Sequence, residues 1–272
     1  MTATTIQPTT IPTPAAARER KVVPPISTGR IVSVELRKMF DTRAGFWMLM
    51  SIAIVSVLAT GAAILFAPDA DIDFELFATA IGVPMSVILP MIAILSVTGE
   101  YTQRTGLTTY TMIPRRGRTI AAKGIAAVLV GVVSMFVALG VGALGNLLGS
   151  AIVGVDTVWN VSVTEFAGIV LAQVLGMTVG FMLGVLLRSS AAAIVAYFVY
   201  SLVLPGLFML LAGLQSWFAD IHAWVDFNMA SARLYEETMT GEYWAQLGTS
   251  GLIWLVAPLA VGLVLVMRSE VK

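Results

Sequence analysis

The chain has 272 residues, 58% of them hydrophobic and only 12% charged, with no net charge and a mean hydropathy of +0.90. Soluble domains carry about 25% charged residues, so this chain has too little polar surface for water and needs a bilayer as solvent. Zero cysteines exclude disulfides and thiolate chemistry, a single histidine (His222) excludes a two-imidazole site on one chain, and the zero balance supplies no global field for nucleic acid.

The first 26 residues are rich in Thr, Pro and Ala and lack the continuous apolar stretch of a secretory signal. They read as a disordered cytoplasmic tail, and residues 27–272 as one transmembrane domain. From Ile31 to Arg43, Val32, Leu36, Met39 and Phe40 recur at helical spacing among Glu35, Arg37 and Lys38. That pattern predicts an amphipathic helix lying in the inner interface. Six apolar runs follow, at about 46–67, 77–98, 124–148, 166–187, 191–214 and 250–267, and none contains Asp, Glu, Lys, Arg or His. Each holds about 20 residues, which at 1.5 Å per residue crosses about 30 Å of hydrocarbon.

Orientation follows from the basic residues. Those before the first run, those between the second and third, Arg188 between the fourth and fifth, and Arg268 and Lys272 after the sixth all fall on one side if there are six crossings. Arg233 alone falls on the other. Both termini are therefore expected on the cytoplasmic side. The opposite side carries Asp69, Asp71, Asp73 and Glu75, which read as a solvated loop rather than a cation site. The outer segment 215–248 holds Trp217, Phe218, Ile221 and Trp224 in a helix-like pattern, which predicts one or two short helices at the outer rim.

Within the crossings, Gly176, Gly180 and Gly184, and likewise Gly145 and Gly149, recur four apart and let helix backbones approach. Pro84, Pro90, Pro205 and Pro258 each remove a backbone hydrogen bond. The first three are candidate gating kinks. No GxxxxGK[ST] phosphate loop is present. Gly248-Thr249-Ser250-Gly251 matches the serine pattern of rhomboid-type intramembrane proteases, but the only histidine precedes it in the outer segment. No metal site is expected. The lack of intramembrane carboxylates argues against an ion-coupled carrier.

The richest cytoplasmic segment joins the second and third crossings. It runs from Thr98-Gly99-Glu100-Tyr101 through Thr105-Gly106 to Pro114-Arg115-Arg116-Gly117-Arg118, with Lys123 opening the third crossing. Charge alone reads it as a basic surface loop that fixes topology. In order and spacing, however, Glu100, Thr105-Gly106, Pro114-Arg115-Arg116 and Lys123 resemble the corresponding segment of ABC-2 type transporter permeases. Glu35-Leu36-Arg37-Lys38-Met39-Phe40 resembles that family's N-terminal connecting helix. The likeness covers about residues 31–272.

The resemblance implies an all-α, six-helix bundle with both termini cytoplasmic, in a bacterial plasma membrane. It implies a permease subunit, not itself an enzyme, that exports an amphipathic or hydrophobic small molecule, peptide or lipid. The partners implied are a separate ATP-binding-cassette ATPase, which would hold ATP and Mg, and a second permease chain, with no cofactor on this chain. Glu100, Tyr101, Arg104, Thr105, Arg115, Arg116 and Arg118 would form the ATPase-coupling segment. Glu35, Leu36, Arg37, Lys38 and Phe40 would belong to the connecting helix. A stand-alone channel or carrier and an intramembrane enzyme are the alternatives.

Overall fold

A backbone in hydrocarbon must satisfy its own polar groups, which an isolated apolar run does by becoming helical. The computed structural model describes residues 26–41, 43–102, 116–236 and 238–268, and these form helices joined by turns, with no strand among them. Helix α1 (Thr28–Asp41) leads into α2 (Arg43–Phe66), α3 (Phe74–Thr102), α4 (Arg116–Val153) and α5 (Val163–Leu187). The fifth crossing joins α6 (Ser190–Phe198), a π turn (Val199–Val203) and α7 (Leu204–Leu214). After the short α8 (Ser216–Val225) and α9 (Phe227–Glu236), the last crossing joins α10 (Gly241–Gly251), a second π turn (Leu252–Val256) and α11 (Ala257–Arg268). Six helical runs are thus long and apolar enough to cross a membrane. The chain is an all-α, multi-pass membrane protein.

One boundary differs from the sequence expectation. The outer segment does not extend to residue 248, because Thr240 caps α10 through its hydroxyl at 3.2 Å from the Tyr243 amide, and that helix continues into the last crossing. On α1, Phe40 is not part of the buried stripe: Ile31, Glu35 and Met39 are buried, while Phe40 is 56% exposed. Register explains the difference. Positions 31, 35 and 39 lie one above another on a helix, and Glu35 can be buried because it finds partners there.

The bundle is centred on α3 and α5. Half of the most apolar stretch of α5 is buried, against 6% for the fifth crossing, which turns Leu202, Met209 and Leu214 outward to where lipid would lie. Both glycine runs serve contacts within the chain. A Cβ on Gly180 would stand 2.6 Å from the Pro90 carbonyl oxygen, and one on Gly145 would stand 2.6 Å from Thr60 Cγ2. Glycine is therefore what lets α5 meet α3, and α4 meet α2 and α3.

Two of the prolines leave carbonyls that other helices satisfy. Pro84 and Pro90 lie inside one uninterrupted α-helix. Pro90 has no N–H for the carbonyl four residues back, that of Ser86, and Tyr197 Oη of α6 donates to this oxygen at 2.8 Å. In the fifth crossing the Leu204 amide reaches the Val199 carbonyl, five residues back. The same register would aim position 205 at the Tyr200 carbonyl, but Pro205 cannot donate, and Asn228 Nδ2 of α9 does so at 3.2 Å. The second π turn likewise ends one residue and a proline later, at Pro258, with the Ala257 amide bonded to the Leu252 carbonyl. The two turns meet: the Tyr200 and Trp254 rings lie 5.9 Å apart.

The ends of the helices sort into two groups. At one end, Thr98 on α3 and Ser190 on α6 share a 2.8 Å hydroxyl hydrogen bond. There Arg188 adopts a left-handed φ of 53° that stops α5 and allows a tight turn into α6. At the other end the Phe74 amide bonds to the Val158 carbonyl at 3.2 Å. Asn160 Nδ2 there donates to Asp73 at 2.8 Å and to Glu75 at 3.2 Å, so these two acids hold a loop, and among the described residues no acidic cluster is arranged to hold a metal.

Candidate functional site

The first end holds four charges, three of them with little access to water. Glu35 and Lys38 are on α1, Glu100 is near the last turn of α3, and Lys123 is two turns into α4. Lys123 Nζ lies 2.6 Å from Glu35 Oε2 and 3.0 Å from Glu100 Oε1. Lys38 Nζ lies 2.8 Å from Glu35 Oε1 and 3.0 Å from Glu100 Oε1. The charges alternate in sign around a closed ring, so each carboxylate touches both ammonium groups. The Lys123 ammonium has three N–H bonds, and its third oxygen neighbour is the Ser96 carbonyl at 3.2 Å.

Burial decides how much this ring matters. The side chains of Lys123, Glu35 and Glu100 are 5%, 6% and 13% exposed, and that of Lys38 is 42% exposed. Desolvating a charge costs several kcal/mol, by order of magnitude, unless partners and geometry compensate. Here every buried charge has two partners of opposite sign. The ring thus joins three elements that are far apart in sequence. It binds the amphipathic α1 to the end of α3 and the start of α4, the two helices that flank residues 103–115. Arg118 adds a second tie: its Nη2 donates to the Ile26 carbonyl at 2.8 Å and the Thr28 hydroxyl at 3.1 Å, holding the start of α1.

Lys38 is the ring member most open to water. Burial works against its charge, but hydrogen bonds to Glu35 and Glu100 outweigh that and hold the ammonium above the ordinary value of 10.5. A group whose folded value is raised stabilises the fold fully below its unfolded value and loses that contribution as pH climbs through the folded one. Above pH 10.5 the thermal midpoint of the native protein is therefore expected to fall more steeply than that of a Lys38→Met variant, measured by intrinsic fluorescence in detergent. Parallel curves would refute the assignment.

The sequence-predicted residues separate here. Glu100 joins the ring, and Tyr101 is partly buried against the main core. These two side chains turn into the protein. Leu36 is half-buried, Arg37 and Phe40 are exposed, and Arg118 ties down α1. Arg104, Thr105 and Arg115 lie outside the described residues, and Arg116 is the first residue of α4. Lys123, the lysine that opens the third crossing in the permease-like pattern but is not among the expected coupling residues, is a member of the ring. Its signal was available: a lysine two turns inside an otherwise apolar helix requires a counter-ion.

At the opposite end, Ser250 is buried and its hydroxyl donates to the Gln246 carbonyl at 2.7 Å. His222 stacks on Phe218 and lies 3.1 Å from Asp226, which in turn caps α9 by accepting from the Asn228 and Met229 amides. In this arrangement the serine hydroxyl and the imidazole each have other partners. No family model and no curated protein matches this chain.

Proposed function

We propose that this chain is the membrane-spanning permease subunit of an ATP-driven transporter, working with a separate ATPase that holds ATP and Mg. The observation that carries this reading is the buried charge ring. A segment that receives mechanical work must be anchored, or the work is spent bending the connection. Here both flanking helices of residues 103–115 are joined to α1 by ionic contacts, so a displacement at that segment is transmitted to three helices together. Thr98 and Ser190 extend the path to the fifth crossing.

In this reading the end bearing the ring is cytoplasmic, because it gathers the basic residues on one side, and both termini share that side of a bacterial plasma membrane. The cations Arg104, Arg115 and Arg116 would meet the ATPase. Glu100, Tyr101 and Lys123 would act through position rather than contact. A second permease chain would complete the passage, and the apolar crossings suit an amphipathic or hydrophobic small molecule, peptide or lipid as exported cargo.

The test is affinity isolation of the chain from its native membrane. A subunit with a GxxxxGK[ST] phosphate loop and ATPase activity should co-purify, and its yield should drop at least several-fold with Arg115→Glu/Arg116→Glu. Transport by the purified chain alone in liposomes, without nucleotide, would overturn the proposal.

A further inference from the structure

Helix α1 is amphipathic with an unusual division of labour. Its buried face spends its acid internally: Glu35 is 5% exposed and committed to Lys38 and Lys123. The opposite face carries Arg30, Val34, Arg37 and Phe40, spaced three or four residues apart, in one stripe along the helix. Val34 is 50% and Phe40 is 56% exposed. The stripe continues past exposed Arg43 to Phe46 and Trp47, whose rings meet edge to face at 5.9 Å, with Trp47 63% exposed. Arg18, Arg20 and Lys21 precede it in the sequence, and Asp41 is the exposed acid on the helix.

Large apolar side chains do not favour water, and guanidinium groups do not favour hydrocarbon. The boundary that takes both is the headgroup layer, where aromatic rings and arginines are both accommodated. We infer that the Arg30–Val34–Arg37–Phe40 face of α1 binds the headgroups of anionic phospholipids in the leaflet next to it, with the ion ring setting the rotation of the helix that presents this face. Two features favour lipid over a protein partner. The stripe runs directly into a membrane-spanning helix, and its exposed arginines Arg30, Arg37 and Arg43 outnumber its one exposed acid, Asp41, where the membrane supplies negative charge. Arginines near such a surface contribute about fivefold each to association.

The chain's lack of cysteine makes the test direct. An environment-sensitive fluorophore on Val34→Cys is followed in nanodiscs of phosphatidylcholine with increasing phosphatidylglycerol. The expected result is a blue shift and contact quenching by spin-labelled headgroups that saturate with phosphatidylglycerol and are reversed by salt. Arg30→Gln/Arg37→Gln should weaken the association about 25-fold, fivefold per arginine, so that the phosphatidylglycerol-dependent response is lost over most of the titration, with an unchanged thermal midpoint, because both side chains are exposed. A label that reports the same environment in both lipids would overturn the inference. So would one that becomes buried only when the ATPase subunit is added, since that result would make the face a protein docking surface. Neither outcome bears on whether an ATPase co-purifies.

Discussion

Lys123→Met is expected to be among the most damaging single substitutions in this protein, lowering stability by about 3–5 kcal/mol. The side chain is 5% exposed and is paired with two carboxylates. Removing it leaves the ring with one net negative charge in a site that water does not reach freely. Glu35 keeps only Lys38, which is itself 42% exposed. The loss should be recovered in large part by Glu35→Met/Lys123→Met, because deleting both members of a buried pair removes the desolvation cost along with the attraction. Lys38→Met should cost only about 0–1 kcal/mol, as expected for a partly solvated partner. Thermal or denaturant unfolding in detergent, read by monodispersity after heating, ranks the three variants. A Lys123→Met variant as stable as the native protein would remove the ring from any structural role.

The second large effect belongs to the central helix contact. Gly180→Ala would place a Cβ 2.6 Å from the Pro90 carbonyl oxygen and 3.0 Å from Pro90 Cα. Both are backbone atoms, so no rotamer change relieves the contact and α3 must move away from α5. A cost of about 1–3 kcal/mol follows from overpacking of this kind. The neighbouring Gly176→Ala is the control, since its nearest neighbour is Pro90 Cγ at 4.0 Å, and it should be neutral within about 0.5 kcal/mol. Gly184→Ala should fall between them, with the Ile94 carbonyl oxygen at 3.2 Å. Equal thermal midpoints for Gly176→Ala and Gly180→Ala would show that the two helices do not meet as closely as described.

The six crossings were legible because each is a long apolar run, and hydropathy needs no tertiary information to be read. The ring was not, because its members are separated by up to 88 residues and nothing local pairs Glu35 with Lys123. The burial of Glu35 on α1 was not legible for the same reason, since a lone acid on an amphipathic helix reads as part of its polar face until its partners are known. The start of the last crossing was set too late because Tyr243, Trp244 and Gln246 lower the hydropathy, although Thr240 had already capped the helix. The π turns left no compositional trace. Val199–Val203 and Leu252–Val256 are as apolar as their surroundings, and only a proline shortly after each hints at the extra residue.

Those wide turns make chain length itself a structural variable in the fifth and sixth crossings. Each holds one residue more than a regular helix would use, and an α-helix rotates about 100° per residue. Deleting one position within Val199–Val203 would let the helix close up, at the expense of swinging everything beyond it through that angle. Phe208 now lies within 5.6 Å of the Phe218 ring and 6.1 Å of the Trp254 ring. After such a deletion it would point elsewhere around the helix, and the aromatic cluster around it would lose its central member without any other change in composition.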